Sequence, residues 1–182
     1  MEKYRFLLSG SGGQGIITMA ILLAEAAVLY EGLVAVQSQS YGPEARGGAT
    51  RSDVIISNSE IYFPKVNQPN VLVALTEEAS KKYLSLIRPG GIYLYDCDLV
   101  QPSLSIDARR IGLPMLQAVK DTFDGKVQAF NICVLGALAV ITNSIQLESL
   151  EKVLAARFAT AFHENNKKAL YLGAEMAKSV EP

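Results

Sequence analysis

The stretch YRFLLSGSGGQGIITMAILLAEAAVLY, residues 4–30, decides the fold, because a strand, a glycine-rich loop and a helix follow one another in it. Tyr4–Leu8 is short and apolar and runs into a glycine-rich segment, as buried strands of parallel sheets do. Ile16–Tyr30 is apolar along most of its length and predicts a helix. The loop between them therefore presents a helix N-terminus, whose first backbone N–H groups suit an anion.

The glycine-rich loop satisfies the pattern G-x-G-x-x-G from residue 10 to residue 15. A nicotinamide dinucleotide site also needs an acid about 20 residues further on, at the end of the second strand. That region reads Ala35-Val36-Gln37-Ser38 and contains no acid. Two interpretations stay open, a tight packing turn and a site for a phosphate-like anion. The candidate ligand or interface residues here are Gly10, Ser11, Gly12, Gly13, Gln14 and Gly15.

Strand and helix patterns alternate through the first half of the chain, which predicts a parallel sheet flanked by helices. After about residue 108 the pattern becomes helical. We expect a single α/β domain over residues 1–182, Rossmann-like, with a mainly parallel sheet and a helical C-terminal third. A further helix is predicted at Glu77–Ile87, capped by Thr76. Ser52–Ser57 and Glu60–Phe63 are predicted to form a hairpin. The other predicted strands are Leu33–Gln37, Val71–Leu75 and Ile92–Tyr95.

The charge balance argues against two classes of partner. The chain has 17 basic and 18 acidic residues, a net charge of -1, and no basic run. Nucleic acid and anionic membrane surfaces are therefore poor candidates. The apolar segment Ile16–Tyr30 is shorter than the roughly 20 residues of a membrane span. With no signal peptide before the first strand, we expect a cytoplasmic protein without membrane insertion.

No residue set indicates catalysis or metal binding by this chain alone. Cys97 and Cys133 lie far apart in apolar surroundings and are predicted to be buried free thiols. His163 is expected at the surface, Asp96 and Asp98 in a turn, and Asn131 as the cap of an apolar helix.

Two predicted helices, Ile16–Tyr30 and Phe130–Ile141, are apolar on nearly every face. A surface helix normally has a polar face, so each must be sandwiched inside the domain or covered by another subunit. Two such helices in a chain of 182 residues favour an obligate partner.

A second loop, Ser40–Gly48, carries one acid and one arginine between glycines. Pro43 stiffens its entry, and Gly47 with Gly48 allows another backbone to approach closely. Arg46 and Arg51 suit carboxylate or phosphate partners, although Glu44 is an alternative partner at the surface. The candidate ligand or interface residues here are Tyr41, Gly42, Pro43, Glu44, Arg46, Gly47 and Gly48.

Four segments together resemble the gamma subunit of the 2-oxoacid:ferredoxin oxidoreductases. They are GSGGQGI (10–16), QSQSYGPEARGGATRSDVIIS (37–57), YFPKVNQPNVLVALTEEA (62–79) and FNICVLGALA (130–139). The resemblance covers essentially the whole chain, and the second loop is most similar to the 2-oxoglutarate type.

The resemblance implies that the chain is one part of a hetero-oligomer. In that family, thiamine diphosphate and Mg²⁺ lie between alpha and beta subunits, and iron–sulfur clusters lie in the beta subunit or in a ferredoxin-like delta subunit. The assembled enzyme would convert a 2-oxoacid and coenzyme A to acyl-CoA and CO₂, with electrons passing to ferredoxin. This chain would act in assembly and in a coenzyme A contact, bind no cofactor alone and be inactive in isolation.

Three alternatives stay open from the sequence. One is a free-standing nucleotide-binding oxidoreductase, another is a gamma subunit for pyruvate or a branched-chain 2-oxoacid, and the third is a scaffold without ligand.

Overall fold

A computed structural model describes residues 3–39, 48–101 and 106–180. The candidate residues Tyr41 to Gly47 of the second loop lie outside the described residues, and Gly48 lies within them.

The described residues contain one six-stranded sheet with the order β2-β3-β1-β4-β5-β6. Strands β1, β4, β5 and β6 are parallel to one another, whereas β3 is antiparallel to both β1 and β2. The predicted mainly parallel sheet is therefore confirmed. The strands are β1 (Lys3–Gly10), β2 (Val34–Gln39), β3 (Thr50–Ser57), β4 (Val71–Ala74), β5 (Gly91–Asp96) and β6 (Ala108–Leu113).

Helices cover the two faces of the sheet unequally. One core, around Phe6, Leu23 and Leu135, lies between the sheet and most of the helices, and the other, around Leu72 and Tyr83, lies beneath α2. The C-terminal third is helical from residue 115 onward, as expected. The helices are α1 (Ile16–Tyr30), α2 (Glu77–Tyr83), α3 (Met115–Thr122), α4 (Phe130–Thr142), α5 (Leu147–Arg157) and α6 (His163–Lys178), with 3₁₀ turns at Leu84–Leu86 and Thr160–Phe162.

The apolar helix α4 is enclosed by this chain itself. Its residues are buried except for the partly buried Val140, and its backbone approaches that of α6 at Gly136 and Gly173. A Cβ on either glycine would overlap a carbonyl oxygen of the facing helix. Helix α4 thus gives no support for an obligate partner. Helix α1 leaves an apolar end exposed, with Leu29 63% accessible.

Two predicted elements were wrong. Glu60–Phe63 is not a strand, and the expected hairpin is absent because β3 pairs with β1 and β2 instead. Ala108–Leu113, expected to begin the helical part, is the edge strand β6. Its side chains Arg109 and Arg110 are exposed, and charged side chains on an edge strand hide the strand pattern while protecting that edge. The predicted helix Glu77–Ile87 is shorter, because it becomes a 3₁₀ turn at Leu84.

Candidate functional site at the carboxyl edge of the sheet

The glycine-rich loop leads from the end of β1 at Gly10 to the start of α1 at Ile16. Two of its glycines have left-handed backbone conformations, with φ 89° at Gly13 and φ 73° at Gly15. Residues with a Cβ rarely adopt this region, which explains why glycine stands at both positions. Ser11, Gly12 and Gly13 are exposed at the tip of the loop.

Gln14 closes this loop through both atoms of its side-chain amide. Its Oε1 accepts a hydrogen bond from the backbone N–H of Ser11 at 2.7 Å, and its Nε2 donates to the carbonyl oxygen of Leu75 at 3.2 Å. A Cβ on Gly10 would overlap Oε1 of Gln14. The loop is thus braced against the end of β4. The sequence placed Gln14 in the site, but its role could not be read from a pattern of glycines.

Asn131 connects α4 to the start of α1. It is a buried residue, and its Nδ2 donates to the carbonyl oxygen of Gly15 at 3.4 Å, a long hydrogen bond. A Cβ on Gly15 would overlap the Asn131 amide. The prediction that Asn131 caps its own helix was wrong, because the N-cap residue of α4 is Ala129, whose side chain makes no capping hydrogen bond. The amide supports the neighbouring helix instead.

The strand ends that flank the second loop lie beside the glycine-rich loop. Gln39, the last residue of β2, pairs with Ser52, and Thr50, the first residue of β3, pairs with Gly10. Ser9 adds a hydrogen bond from its Oγ to the carbonyl oxygen of Thr50 at 2.9 Å. The glycine-rich loop and the strand ends that flank the second loop therefore lie at the carboxyl edge of the parallel strands, which is where ligand sites of α/β sheets gather.

Arg51 is held by Asp53 of its own strand and by groups outside that strand. Its guanidinium donates to both carboxylate oxygens of Asp53 at 2.8 Å and to the carbonyl oxygen of Val66 at 2.7 Å. It also lies over the ring of Tyr83, 5.4 Å from the centroid. A bidentate pair of this kind fixes orientation. The structure thus assigns Arg51 to bracing the sheet beside the second loop.

Asp96 ends β5 at the same edge and is fully buried. Its Oδ1 accepts from the backbone N–H of Asp98 at 3.0 Å, and its Oδ2 accepts from that of Leu116 at 2.7 Å. Burial raises the pKa of this carboxyl group, against the lowering effect of the hydrogen bonds. The predicted turn role is confirmed for Asp96.

The two thiols differ from each other. Cys133 is buried, and burial raises its pKa to about 12, so it stays protonated near neutral pH. Cys97 is exposed, which corrects the prediction that both are buried. His163 is half-buried, and its Nε2 lies 2.7 Å from the carbonyl oxygen of Phe158, a structural contact.

The sheet topology is unfavourable for a dinucleotide. In such sites the second strand lies parallel beside the first and supplies an acid to the ribose. Here the antiparallel β3 separates β1 from β2. The carboxylate that β3 brings opposite Leu7 is Asp53, which is paired with Arg51. The alternative of a free-standing nucleotide-binding oxidoreductase is therefore not favoured.

The carboxyl edge of the sheet is still suited to binding an anion at the tip of the glycine-rich loop. The exposed tip Ser11–Gly13 lies at the N-terminal, positive end of α1, and the first turn of that helix contains no acid. Such an arrangement suits a phosphate or carboxylate, from a small molecule or from another chain.

Residues 5–176 match the family described as pyruvate ferredoxin/flavodoxin oxidoreductase. The chain belongs to this family. Its sequence is 42% identical over 175 residues to "2-oxoglutarate synthase subunit KorC" of Methanocaldococcus jannaschii, covering 95% of this chain and 93% of that protein. It is 33% identical to "Ketoisovalerate oxidoreductase subunit VorA" of Methanothermobacter marburgensis, covering 97% of this chain but 37% of that longer protein.

A solved structure agrees with this membership. The keto/oxoacid ferredoxin oxidoreductase gamma subunit from Geobacter sulfurreducens PCA superposes with a TM-score of 0.87 at 40% identity. The match covers 97% of this chain and 99% of that one. The α/β fold of this family member, including its helical C-terminal third, is thus shared with a gamma subunit.

No helix among residues 3–39, 48–101 and 106–180 is both long and apolar enough to cross a membrane.

Proposed function

We propose that this family member is the gamma subunit of a multi-subunit 2-oxoglutarate:ferredoxin oxidoreductase. The assembled enzyme converts 2-oxoglutarate and coenzyme A to succinyl-CoA and CO₂ and passes two electrons to ferredoxin, in the cytoplasm. The observation that carries this proposal is the nearly end-to-end similarity to the KorC subunit, at 42% identity. The VorA similarity, at 33% identity, makes a branched-chain 2-oxoacid the second candidate substrate.

The proposed division of labour follows the resemblance. Alpha and beta subunits, with a ferredoxin-like delta subunit in some complexes, hold thiamine diphosphate, Mg²⁺ and the iron–sulfur clusters. Within the part of the chain that the structure describes, no three His, Cys, Asp or Glu side chains are grouped as metal ligands. This chain contributes position and electrostatics, and the cofactors supply the decarboxylation and electron transfer.

The carboxyl edge of the sheet is the proposed working surface. We infer that the tip Ser11–Gly13 contacts an anionic group of coenzyme A or of a partner subunit. The exposure of this tip and the positive end of α1 support the inference. The strands β2 and β3, which flank the second loop, end and begin at the same edge, and we propose that Tyr41–Gly48 meets the partner subunits through Arg46.

Substrate kinetics of the assembled complex test the proposed function. The chain is co-expressed with its alpha and beta subunits, and CoA-dependent reduction of ferredoxin is followed with 2-oxoglutarate, ketoisovalerate and pyruvate. We expect the highest kcat/KM for 2-oxoglutarate. A higher kcat/KM for ketoisovalerate or pyruvate contradicts the substrate, and no 2-oxoacid-dependent turnover contradicts the whole assignment.

A single glycine tests the contact at the tip. A Cβ at Gly12 meets open space, and Gly12 does not have a positive φ, so Gly12→Ala leaves the fold intact. We expect it to raise KM for coenzyme A in the complex or to weaken assembly. Ser85→Ala, at an exposed position of a 3₁₀ turn, is the control and leaves both unchanged. Identical behaviour of the two variants contradicts the contact.

A further inference from the structure

A basic cavity of about 770 Å³ opens at the amino edge of the sheet, opposite the glycine-rich loop. Arg5 stands near the start of β1, and Arg88 lies in the segment that leads into β5. These strands are parallel, so their starts share one edge of the sheet and their ends share the other. Lys65, in the connection between β3 and β4, adds a third cation to the lining. This surface is therefore distinct from the carboxyl edge described above.

The three cations of this cavity lack a counter-charge among the described residues. None of them forms an ion pair there, and the lining contains no acid. Two acids lie nearby without lining the cavity: Glu60 accepts a hydrogen bond from the Tyr62 hydroxyl at 2.6 Å, and Asp107 is exposed beside Gly90. Clefts lined by charge of one sign attract groups of the opposite sign. The group that fits this surface is therefore anionic.

Two aromatic rings project beside these cations. Phe63, which lines the cavity, is 58% exposed, and its neighbour Tyr62 is 87% exposed. The loop that carries them is anchored where the guanidinium of Arg51 donates to the carbonyl oxygen of Val66 at 2.7 Å. Because the rings stand on an anchored loop, a partner that covers them loses less binding energy to the ordering of this segment.

This combination of side chains is typical of a protein interface rather than of a small-anion site. Tyrosine, phenylalanine and arginine are enriched in the centres of protein interfaces. A small polyanion would contact the three cations but leave exposed the ring of Tyr62, which does not line the cavity. The related proteins reported above are subunits, so partner chains are available to cover this surface.

We propose that this surface docks an acidic segment of a partner subunit. Carboxylates of that segment pair with Arg5, Lys65 and Arg88, and an apolar side chain between them packs on the ring of Phe63. The two arginines suit carboxylates in bidentate pairs. The inference rests on the proposed function insofar as this chain is a subunit, and it adds a second docking surface at the edge opposite the glycine-rich loop.

Association of the full chain with its purified partner subunits tests this docking surface. Biolayer interferometry measures the dissociation constant for the wild type, Arg88→Glu and Phe63→Ala. We expect Arg88→Glu to raise the dissociation constant at least about tenfold, because it places a carboxylate against the acidic segment. We expect Phe63→Ala to raise it about tenfold through lost packing. Added salt should weaken binding of the wild type more steeply than binding of Arg88→Glu.

Two residues outside the cavity give matched controls. Arg109→Glu makes the same charge change at an exposed arginine of β6, and Phe162→Ala removes a phenylalanine that is 56% exposed. All four substituted residues are exposed, so the variants keep the fold. We expect both controls to bind like the wild type. Equal binding by each variant and its control overturns the docking surface.

Measurements on this chain alone separate other occupants from a partner subunit. Self-association in sedimentation experiments that Phe63→Ala abolishes overturns the proposal in favour of a second copy of the chain. Saturable binding of tripolyphosphate that Arg88→Glu abolishes, with partner association unchanged by that variant, overturns it in favour of a small anion.

Failure of this inference is distinguishable from failure of the proposed function. A complex that assembles but shows no turnover of 2-oxoglutarate contradicts the proposed function, and the association of Arg88→Glu still tests the surface. Unchanged association of Arg88→Glu and Phe63→Ala in a complex that turns over 2-oxoglutarate contradicts this inference alone.

Discussion

Gln14 and Leu75 are joined by a hydrogen bond of 3.2 Å from Nε2 to the carbonyl oxygen, which ties the glycine-rich loop to the strand beside it. The other end of the same amide accepts from Ser11 at 2.7 Å. The exposed tip of the loop is thus held by one side chain. The shape that we assign to a working surface therefore depends on Gln14.

Replacing Gln14 should loosen the loop and lower stability. Gln14→Ala removes both hydrogen bonds, and we expect the free energy of unfolding to fall by about 1–2 kcal/mol. Urea unfolding followed by circular dichroism measures the change. Gln14→Glu, of nearly the same shape, keeps the acceptor for Ser11 but puts an acceptor oxygen against the carbonyl oxygen of Leu75, so we expect it to lower the free energy of unfolding through the lost bond and through repulsion. An unchanged midpoint for Gln14→Ala would show that the brace contributes nothing.

Gly15→Ala should lower the melting temperature more than Gly12→Ala does, although the two glycines lie only three positions apart in the same loop. Gly15 has φ 73°, and its Cβ would overlap the buried amide of Asn131. Left-handed backbone with a side chain costs about 1–3 kcal/mol, and the overlap adds to it. Gly12 has neither restriction. Thermal unfolding of the two variants compares them directly, and equal melting temperatures would contradict the geometry of the loop.

Tyr93 should make stability fall at high pH. Burial raises its pKa from 10.0 to about 12, with the hydroxyl donating to Ser80 Oγ at 2.7 Å. Because the folded-state pKa is above the unfolded one, the stability contributed by the protonated form is complete below pH 10 and is lost as the pH rises towards about 12. Urea midpoints between these pH values should fall less steeply for Tyr93→Phe than for the wild type. Parallel profiles would refute this assignment.

Arg46 remains a prediction from the sequence, because it lies outside the described residues. If it pairs with a carboxylate or with an anionic group of coenzyme A, Arg46→Ala weakens assembly or raises KM for coenzyme A, at a cost of about 1.5–3 kcal/mol. Arg46→Lys keeps the charge and loses the planar fork, so we expect an intermediate effect. The melting temperature of the isolated chain should hardly change. A lowered melting temperature with unchanged assembly and kinetics would make Arg46 an internal brace.

Secondary-structure elements that form long apolar runs were predictable from the sequence. Elements whose conformation depends on pairing with neighbouring strands were not. Tyr4–Leu8 and Ile16–Tyr30 fall within β1 and α1 because each is a nearly continuous apolar run, of strand length in the first case and of helix length in the second. The cap Thr76 was also correct, since its Oγ1 accepts from the backbone N–H of Ala79 at 3.2 Å. The strand β6 was missed because its exposed arginines at an edge hide the strand pattern.

The position of the candidate site was predictable from the sequence, but the side chains that hold its loop in place were not. Glycines mark a loop, but they do not show that Gln14 reaches Leu75, 61 positions away, or that Asn131 reaches Gly15, 116 positions away. Pairs so distant in sequence are brought together by the tertiary fold, and no local pattern encodes them. Arg51 is a different case, because its partner Asp53 is only two positions away: the two side chains share one face of β3 and pair there, which leaves Arg51 as a structural residue rather than an anion ligand.

Omission and add-back of this chain test the central claim most directly. The alpha and beta subunits are purified with and without it, and CoA-dependent ferredoxin reduction by 2-oxoglutarate is measured, alongside this chain alone. We predict no turnover by this chain alone, little or none by the other subunits alone, and full turnover on stoichiometric add-back with co-elution of all chains. Full activity without this chain, or 2-oxoglutarate-dependent turnover by this chain alone, would contradict its role as a required gamma subunit.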